Sequence, residues 1–168
     1  MITELIDLLT CHQIDSNDLS EITRRIANAD EDPEFSYAPS ECVTAVAIIS
    51  LLDHAMGDKI DEVHEQIQAS IQAMSNSPFP DYPYELVDGD SYEVLAYFKW
   101  LDHELSQLGE QKDSYDLIEL SSGLDDSLDI FIVYRKDIKR ILQISETLDL
   151  GMVRPLDAHL AIAAMGNS

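Results

Sequence analysis

The most regular alternation of apolar and polar positions lies between residues 91 and 150. Asp90 or Ser91 can cap a helix there, and apolar side chains then recur at three- and four-residue steps, as on one face of a helix. This stripe consists of Val94, Leu95, Phe98, Leu101, Leu105 and Leu108. Gly109 suits the left-handed position that follows many helices. The pattern predicts a helix over residues 91–108.

Two strands are predicted after that helix. Residues 115–120 alternate as a strand with two mixed faces does, whereas residues 130–134 are continuously apolar and rich in β-branched and aromatic side chains. A continuous run of this kind is typical of a central strand covered on both faces. Residues 121–127 contain Gly123 and suit a hairpin loop. We therefore expect an antiparallel hairpin at about 115–134, followed by a second helix after Arg135 that Gly151 ends.

The N-terminal half reads as helical. A short helix is predicted over residues 2–9, and Ser16 or Asn17 can cap a second. Residues 40–56 are nearly all apolar, which predicts a buried helix, and an amphipathic helix follows from Asp58 or Lys59 to Met74. The predicted fold class is α+β, with a helical N-terminal half packed on a small antiparallel sheet with flanking helices.

The stretch 75–90 is the clearest linker, because its three prolines favour extended structure. Residues 84–87 within it can add an edge strand, residues 152–154 a last strand, and Pro155 can open a final helix over 156–164. We divide the chain into a helical subdomain (1–75), an aromatic and proline-rich linker (76–90) and an α+β subdomain (91–168), together forming one compact domain.

Charge changes this picture most. Ten Lys and Arg stand against 33 Asp and Glu, so the net charge is −23, and the first 98 residues hold only three bases. Such a surface repels nucleic-acid phosphates and anionic lipid, which excludes direct binding to either and favours a basic protein or peptide. The alternative interpretation is that the charge only keeps the protein soluble. The oligomeric state stays open.

Location follows from a few simple features. No apolar run approaches the roughly 18 residues that span a bilayer, and the N-terminus carries acids where a signal peptide needs bases. Cys11 and Cys42 lack C-x-x-C spacing, which indicates reduced thiols. We expect a cytoplasmic protein.

Candidate binding residues are acids and aromatics in loops. Asp30, Glu31 and Asp32 form an acidic loop, and Asp125 with Asp126 forms an acidic turn. The aromatic residues in the loops are candidate anchors for a partner; they are Phe35, Tyr37, Tyr82 and Tyr84. The competing interpretation of both acidic segments is a solvated connector.

Chemistry of other kinds has weaker support. His54, Asp58, His64 and His103 are the candidate metal ligands, but their spacing is not that of H-E-x-x-H or E-x-x-H. The chain has no nucleophile elbow and no glycine-rich phosphate loop, so we assign neither catalytic residues nor a cofactor. Lys136, Lys139 and Arg140 form the basic patch, which can dock on the acidic N-terminal half or contact an acidic ligand.

The block WLDHELSQLG followed by YDLIELSSGLDDSLDIFIVYR, within residues 100–135, resembles a bacterial family known as a domain of unknown function, DUF6630. The similarity consists of a helix ending in Leu-x-x-Leu-Gly and a hairpin whose second strand opens with an Asp- and Ser-rich turn. It implies a small bacterial α+β protein and brings no catalytic residues. In shape and charge the chain is also similar to bacterial immunity proteins, which block basic toxins with acidic faces.

Three functional hypotheses follow. The first is a non-enzymatic interaction module that binds a basic partner, as an immunity or inhibitor protein does. The second is a DNA mimic that occupies a nucleic-acid-binding protein. The third is a metal-dependent hydrolase built from the histidine and carboxylate residues.

Overall fold

Eight α-helices and three strands follow one another in the part of the chain that is described. The structure is a computed structural model that describes residues 1–88, 93–108 and 114–166. The elements are α1 (Ile2–Leu9), α2 (Ser16–Ala27), α3 (Val43–Leu51), β1 (Ala55–Gly57), α4 (Ile60–Ser75), α5 (Tyr84–Val87), α6 (Glu93–Ser106), β2 (Tyr115–Glu119), β3 (Leu128–Tyr134), α7 (Ile138–Thr147) and α8 (Pro155–Gly166). Short 3-10 helices cover Pro33–Phe35 and Arg135–Asp137. The predicted caps at residues 90 and 91 and the stop at residue 109 lie outside the described residues.

The three strands form one antiparallel sheet in the order β1-β3-β2. β2 and β3 pair as the predicted hairpin, with Ile118 opposite Phe131, and β1 adds to the other edge of β3, with Ala55 opposite Ile130. The central position of β3 and the α+β class are therefore confirmed. Gln66 on α4 covers the outer edge of β1, because its side-chain amide accepts from the Met56 N–H (3.1 Å) and donates to the Met56 carbonyl (2.6 Å).

Helices cover both faces of this sheet, so its side chains enter two hydrophobic cores. Phe131 and Val133 point to one face and pack with α1, α3 and α7, whereas Ile130 points to the other face and packs with α4 and α6. The alternation follows from the two-residue period of a strand. It also explains why β3 reads as an unbroken apolar run. Both the N-terminal and the C-terminal half of the chain contribute to each core.

The prediction of one helix over residues 40–56 is wrong at its C-terminal end. α3 ends at Leu51, Leu52 is extended (φ −112°, ψ 140°), and residues 55–57 form β1. Pairing with the open edge of β3 satisfies their backbone groups in place of helical bonds. Gly57 suits this position, because a Cβ there would lie 3.3 Å from the Cγ2 atom of Val63.

The edge strand predicted at residues 84–87 is also wrong. These residues form α5, a single helical turn whose first residue follows Pro83. Its Val87 and Asp88 N–H groups bond back to the carbonyls of Pro83 and Tyr84, so no ladder partner is needed. Residues 152–154 contribute one isolated bridge, between Val153 and Glu119, rather than a full strand.

A smaller correction concerns the start of α2. Asp15, and not Ser16 or Asn17, is the capping residue, since its carboxylate accepts from the N–H groups of Asn17 (2.8 Å) and Asp18 (3.1 Å). Before it, Cys11 and His12 both have positive φ (52° and 59°), which few residues other than glycine adopt. This turn directs the Cys11 side chain toward β3, where its thiol donates to the Ile132 carbonyl (3.4 Å).

Candidate functional site

The acidic loop at residues 30–32 is partly neutralised from within the chain. The Arg25 guanidinium on α2 donates to Asp32 at 3.0 Å and also to Glu34. Asp32 further accepts from the Glu34 N–H (3.0 Å) and so caps the 3-10 helix; this N–H and Arg25 hold the pKa of Asp32 below its usual value. Asp30 and Glu31 remain exposed. Only two of the three predicted loop acids are therefore available without breaking an existing ion pair.

Phe35 is not an exposed anchor, which corrects the prediction for this residue. Only 1% of it is exposed, it packs in the core with α1 and α3, and the Arg25 guanidinium lies 5.4 Å from its ring centroid. Burying the large apolar surface of an aromatic ring in the core stabilises the fold more than leaving the ring in a solvated loop. The acidic residues next to Phe35 in the sequence stay at the surface around it. Tyr37, two residues later, is 66% exposed, and its role as an anchor stays a prediction.

A denser group of acids and aromatics lies where α4, α5 and the start of α6 meet. We call it the acidic aromatic surface, and it consists of Asp61, Glu65, Tyr82, Tyr84, Asp88 and Glu93. Tyr84 is 54% exposed and donates weakly to Asp61, at 3.5 Å. The Tyr82 ring lies between two other rings, with centroids 4.8 Å from Tyr84 and 5.2 Å from Tyr97. Two tyrosine rings thus stand among carboxylates at the protein surface.

The electrostatics of the two tyrosines report this crowding of negative charge. Desolvation raises the pKa of Tyr82, and the carboxylates of Asp61, Asp88 and Glu93 raise it further. Desolvation likewise raises the pKa of Tyr84, to which Asp61, Glu65 and Asp88 add. The same carboxylates that disfavour a negative charge on the tyrosine hydroxyls attract a positive charge to this surface. The surface is therefore suited to a cation that contacts a tyrosine face and a carboxylate together.

The buried side chain of His64 supports the acidic aromatic surface through two hydrogen bonds. It is 1% exposed, and its nitrogens lie 2.9 Å from the Tyr97 hydroxyl (Nδ1) and 3.0 Å from the Pro80 carbonyl (Nε2). A carbonyl only accepts, so Nε2 carries the proton and Nδ1 accepts from Tyr97. Burial lowers the pKa of His64, which is consistent with a neutral ring. Gln68 adds bonds of 2.8 Å to the Phe79 carbonyl and to Asp81, so the proline-rich segment is held against α4.

The histidines predicted as metal ligands have separate partners. His54 donates to the Leu52 carbonyl (2.9 Å) and pairs through Nε2 with Asp129 (2.9 Å), whereas His64 bonds Tyr97 and Pro80. His103 and Asp58 are exposed on other elements. Within residues 1–88, 93–108 and 114–166, no group of three or more His, Cys, Asp and Glu is placed to hold a metal ion. The structure therefore does not bring the four candidates together.

The acidic turn of the hairpin is exposed and internally bonded. Asp125 accepts from both the N–H (3.1 Å) and the hydroxyl (2.5 Å) of Ser127, and these bonds lower its pKa. Asp126 is exposed beside it. Asp129, three residues after Asp126 and already within β3, is buried against His54. The turn is thus a closed local structure with one outward carboxylate pair.

Sequence reasoning missed a partly buried ionic network that joins α6, β2 and the segment before α8. Arg154 contacts Asp116 at 2.9 Å and Asp102 at 2.5 Å, and Arg135 contacts Asp102 at 2.8 Å. Burial raises the pKa of Asp116, and the two arginines and the Leu117 N–H oppose that rise. The available signal was an acid at residue 116 inside a strand that is otherwise buried. The network joins three parts of the fold, and Arg154 also pairs with the exposed Asp157, at 3.1 Å.

Of the three residues of the basic patch, Arg140 contacts the acidic N-terminal half of the chain. Arg140 forms a two-pronged pair with Glu4 on α1, at 2.6 and 2.7 Å. The Lys136 ammonium lies 4.9 Å from the centroid of the Tyr134 ring.

Cys11 and Cys42 are both free cysteines. Among the described helices, none combines the length and the hydropathy needed to cross a membrane.

Comparisons with other proteins add no relative. The chain matches no protein-family model, and neither a curated protein nor a solved structure is significantly similar to it. The resemblance to the DUF6630 family therefore stays a prediction, and function has to be argued from the geometry of the chain itself.

Proposed function

We propose that this protein is a non-enzymatic interaction module that binds a basic protein or peptide through the acidic aromatic surface. The observation that carries the proposal is the coincidence of an exposed Tyr84 ring with the Asp61 carboxylate, 3.5 Å from its hydroxyl. An arginine or lysine side chain can lie on such a ring and pair with the carboxylate at once. An inhibitor of the immunity-protein kind, acting in the cytoplasm of a bacterium, is the specific form of this proposal.

Preorganisation supports this surface over the loop at residues 30–32. The tyrosines sit on a segment that His64, Gln68 and ring stacking hold in place, so little ordering is needed on binding. The loop at residues 30–32 has two exposed acids, but its third acid, Asp32, is already paired with Arg25.

The carboxylates and the aromatic residues of this surface should affect different steps of binding. Long-range attraction by carboxylates speeds association and weakens with salt, whereas buried aromatic contacts slow dissociation. With a net charge of −23, any polycation will be attracted to some extent. A valid test therefore compares variants that remove the same charge from different places.

The experiment uses a fluorescently labelled short oligoarginine peptide and measures its association rate over a range of salt concentrations. One variant carries Asp61→Asn, Glu65→Gln and Asp88→Asn. Its matched control makes the same charge change at three exposed positions, with Asp30→Asn, Glu31→Gln and Asp126→Asn. We expect the first variant to bind more slowly and to show a weaker salt dependence than the control, which should stay closer to the unmodified protein. Equal effects of the two variants, or a larger effect of the control, would overturn the proposal.

A further inference from the structure

A cavity of about 550 Å³ lies between the α1–α2 turn, the end of α3, the C-terminal half of α4 and β3. Its floor is buried and apolar, and includes Leu9, Leu52 and Ile130. Its mouth is formed by residues that face solvent, among them Asp53 and Ala73. This volume falls within the range of roughly 300–1,000 Å³ that is usual for small-molecule sites.

The cavity exists because β1 is short. β1 pairs with β3 only as far as Ala55 opposite Ile130, so Ile132, two residues further along β3, lines the cavity without a partner in β1. The Cys11 thiol donates to the Ile132 carbonyl at 3.4 Å and so satisfies that edge. Burial raises the pKa of Cys11 to about 11, which keeps the thiol protonated as a donor. The Ile132 carbonyl on this wall therefore has a partner within the chain, and the space beside it is open to a ligand.

The cavity is lined by the neutral polar side chains of Thr10, Gln13 and Ser70, and the charged groups in and beside it are mostly acidic. A groove of about 360 Å³ adjoins it, shares Gln13, Ile14 and Ile22 with it, and is lined by Asp15, Asp18 and Glu21. Asp53 is the carboxylate of the cavity itself. No lysine or arginine lines either space in the described chain. The one basic side chain there, His54, has both nitrogens engaged, by Leu52 and by Asp129.

We propose that this cavity binds a small organic cation with an apolar body, such as an alkyl or aryl ammonium. The body would pack on Ile130 and Ile132, and the ammonium group would pair with Asp53 at the mouth. An anion would meet the acids, and a neutral molecule of the same shape would forgo the ion pair. This site is separate from the acidic aromatic surface, so each proposal can fail without the other.

Titration calorimetry with three ligands of one shape tests the proposal: hexylammonium, hexanol and hexanoate. We expect hexylammonium to bind, hexanol to bind with an affinity at least about tenfold lower, and hexanoate not to bind. Asp53→Asn should remove most of the preference for hexylammonium over hexanol, whereas Asp58→Asn, an exposed acid outside the cavity, should leave it unchanged.

A second pair of variants tests the location. Ala73→Phe places a ring in the mouth and should abolish binding, whereas Ala69→Phe, on an exposed position of the same helix outside the lining, should not. Amide chemical-shift changes in the unmodified protein, expected at Cys11 and His54, give a readout that does not depend on either variant folding. The proposal is overturned by absent hexylammonium binding, by equal binding of the three ligands, or by shift changes confined to other parts of the chain.

Discussion

Replacing His64 by glutamine should destabilise the protein by an amount that depends on pH. The ring accepts a hydrogen bond from Tyr97 and donates one to Pro80, and both His64 and Tyr97 are at most 1% exposed. Glutamine can keep the donor to Pro80 but leaves the Tyr97 hydroxyl without its acceptor. A buried polar group left unpaired costs about 1–3 kcal/mol, and His64→Phe, which removes both bonds, should cost roughly twice as much.

The pH dependence has a definite sign. Burial holds the pKa of His64 in the folded protein below its ordinary value of 6.5, so below that pH the unfolded chain binds a proton that the folded chain does not. The unmodified protein therefore loses stability as the solution is acidified below pH 6.5, by at most about 1.4 kcal/mol per pH unit. The His64→Gln variant lacks this loss, so the difference in stability between the two proteins should shrink from pH 7 to about pH 5.

Urea unfolding measured at several pH values tests this reasoning. The chain has one tryptophan, Trp100, whose ring centroid is 5.5 Å from that of His64, so its fluorescence reports on the region concerned. Exposed His103→Gln, at the end of α6, controls for the loss of a histidine as such. A stability difference that stays constant or grows on acidification would refute the assignment of His64 as neutral in the fold.

Two further predictions concern the other buried charges. Burial opposes protonation of His54, but its bonds to Asp129 and Leu52 raise its pKa, so the advantage of the unmodified protein over His54→Gln should be full below pH 6.5 and decline as pH rises through the folded-state pKa, in the same unfolding assay. Arg154→Ala should cost about 3–5 kcal/mol, since it removes a partner from Asp116, whose side chain is 7% exposed, whereas Arg24→Ala on the surface should have a much smaller effect. A small loss for Arg154→Ala in urea unfolding would show that Arg135 alone can balance the network.

The hairpin and the helices around it were predictable because their signals are local. The unbroken apolar run at residues 130–134 predicts that both faces of β3 are covered, and in the structure each face packs into one of the two hydrophobic cores. β1 has no such signal. Its three residues continue an apolar stretch that reads as helix, and only the open edge of β3, more than 70 residues later, makes them a strand.

The candidate site was predictable in its parts but not in its assembly. Tyr82 and Tyr84 stand out in a proline-rich segment, but the carboxylates beside them, Asp61 and Glu65, come from α4, about 20 residues earlier. Phe35 shows the opposite error, since an aromatic in an acidic loop reads as exposed when the fold in fact buries it. Which aromatic residues face solvent depends on packing that pattern alone does not specify.

The central claim, that Tyr84 anchors a basic partner, is tested most directly by comparing Tyr84→Ala with Tyr37→Ala. Both tyrosines are more than half exposed, at 54% and 66%, so neither truncation should damage the core. The measurement is the dissociation rate of the labelled oligoarginine peptide by stopped-flow fluorescence at fixed salt. We predict that Tyr84→Ala speeds dissociation by about tenfold and that Tyr37→Ala leaves it unchanged. Equal dissociation rates for the two variants would contradict the account.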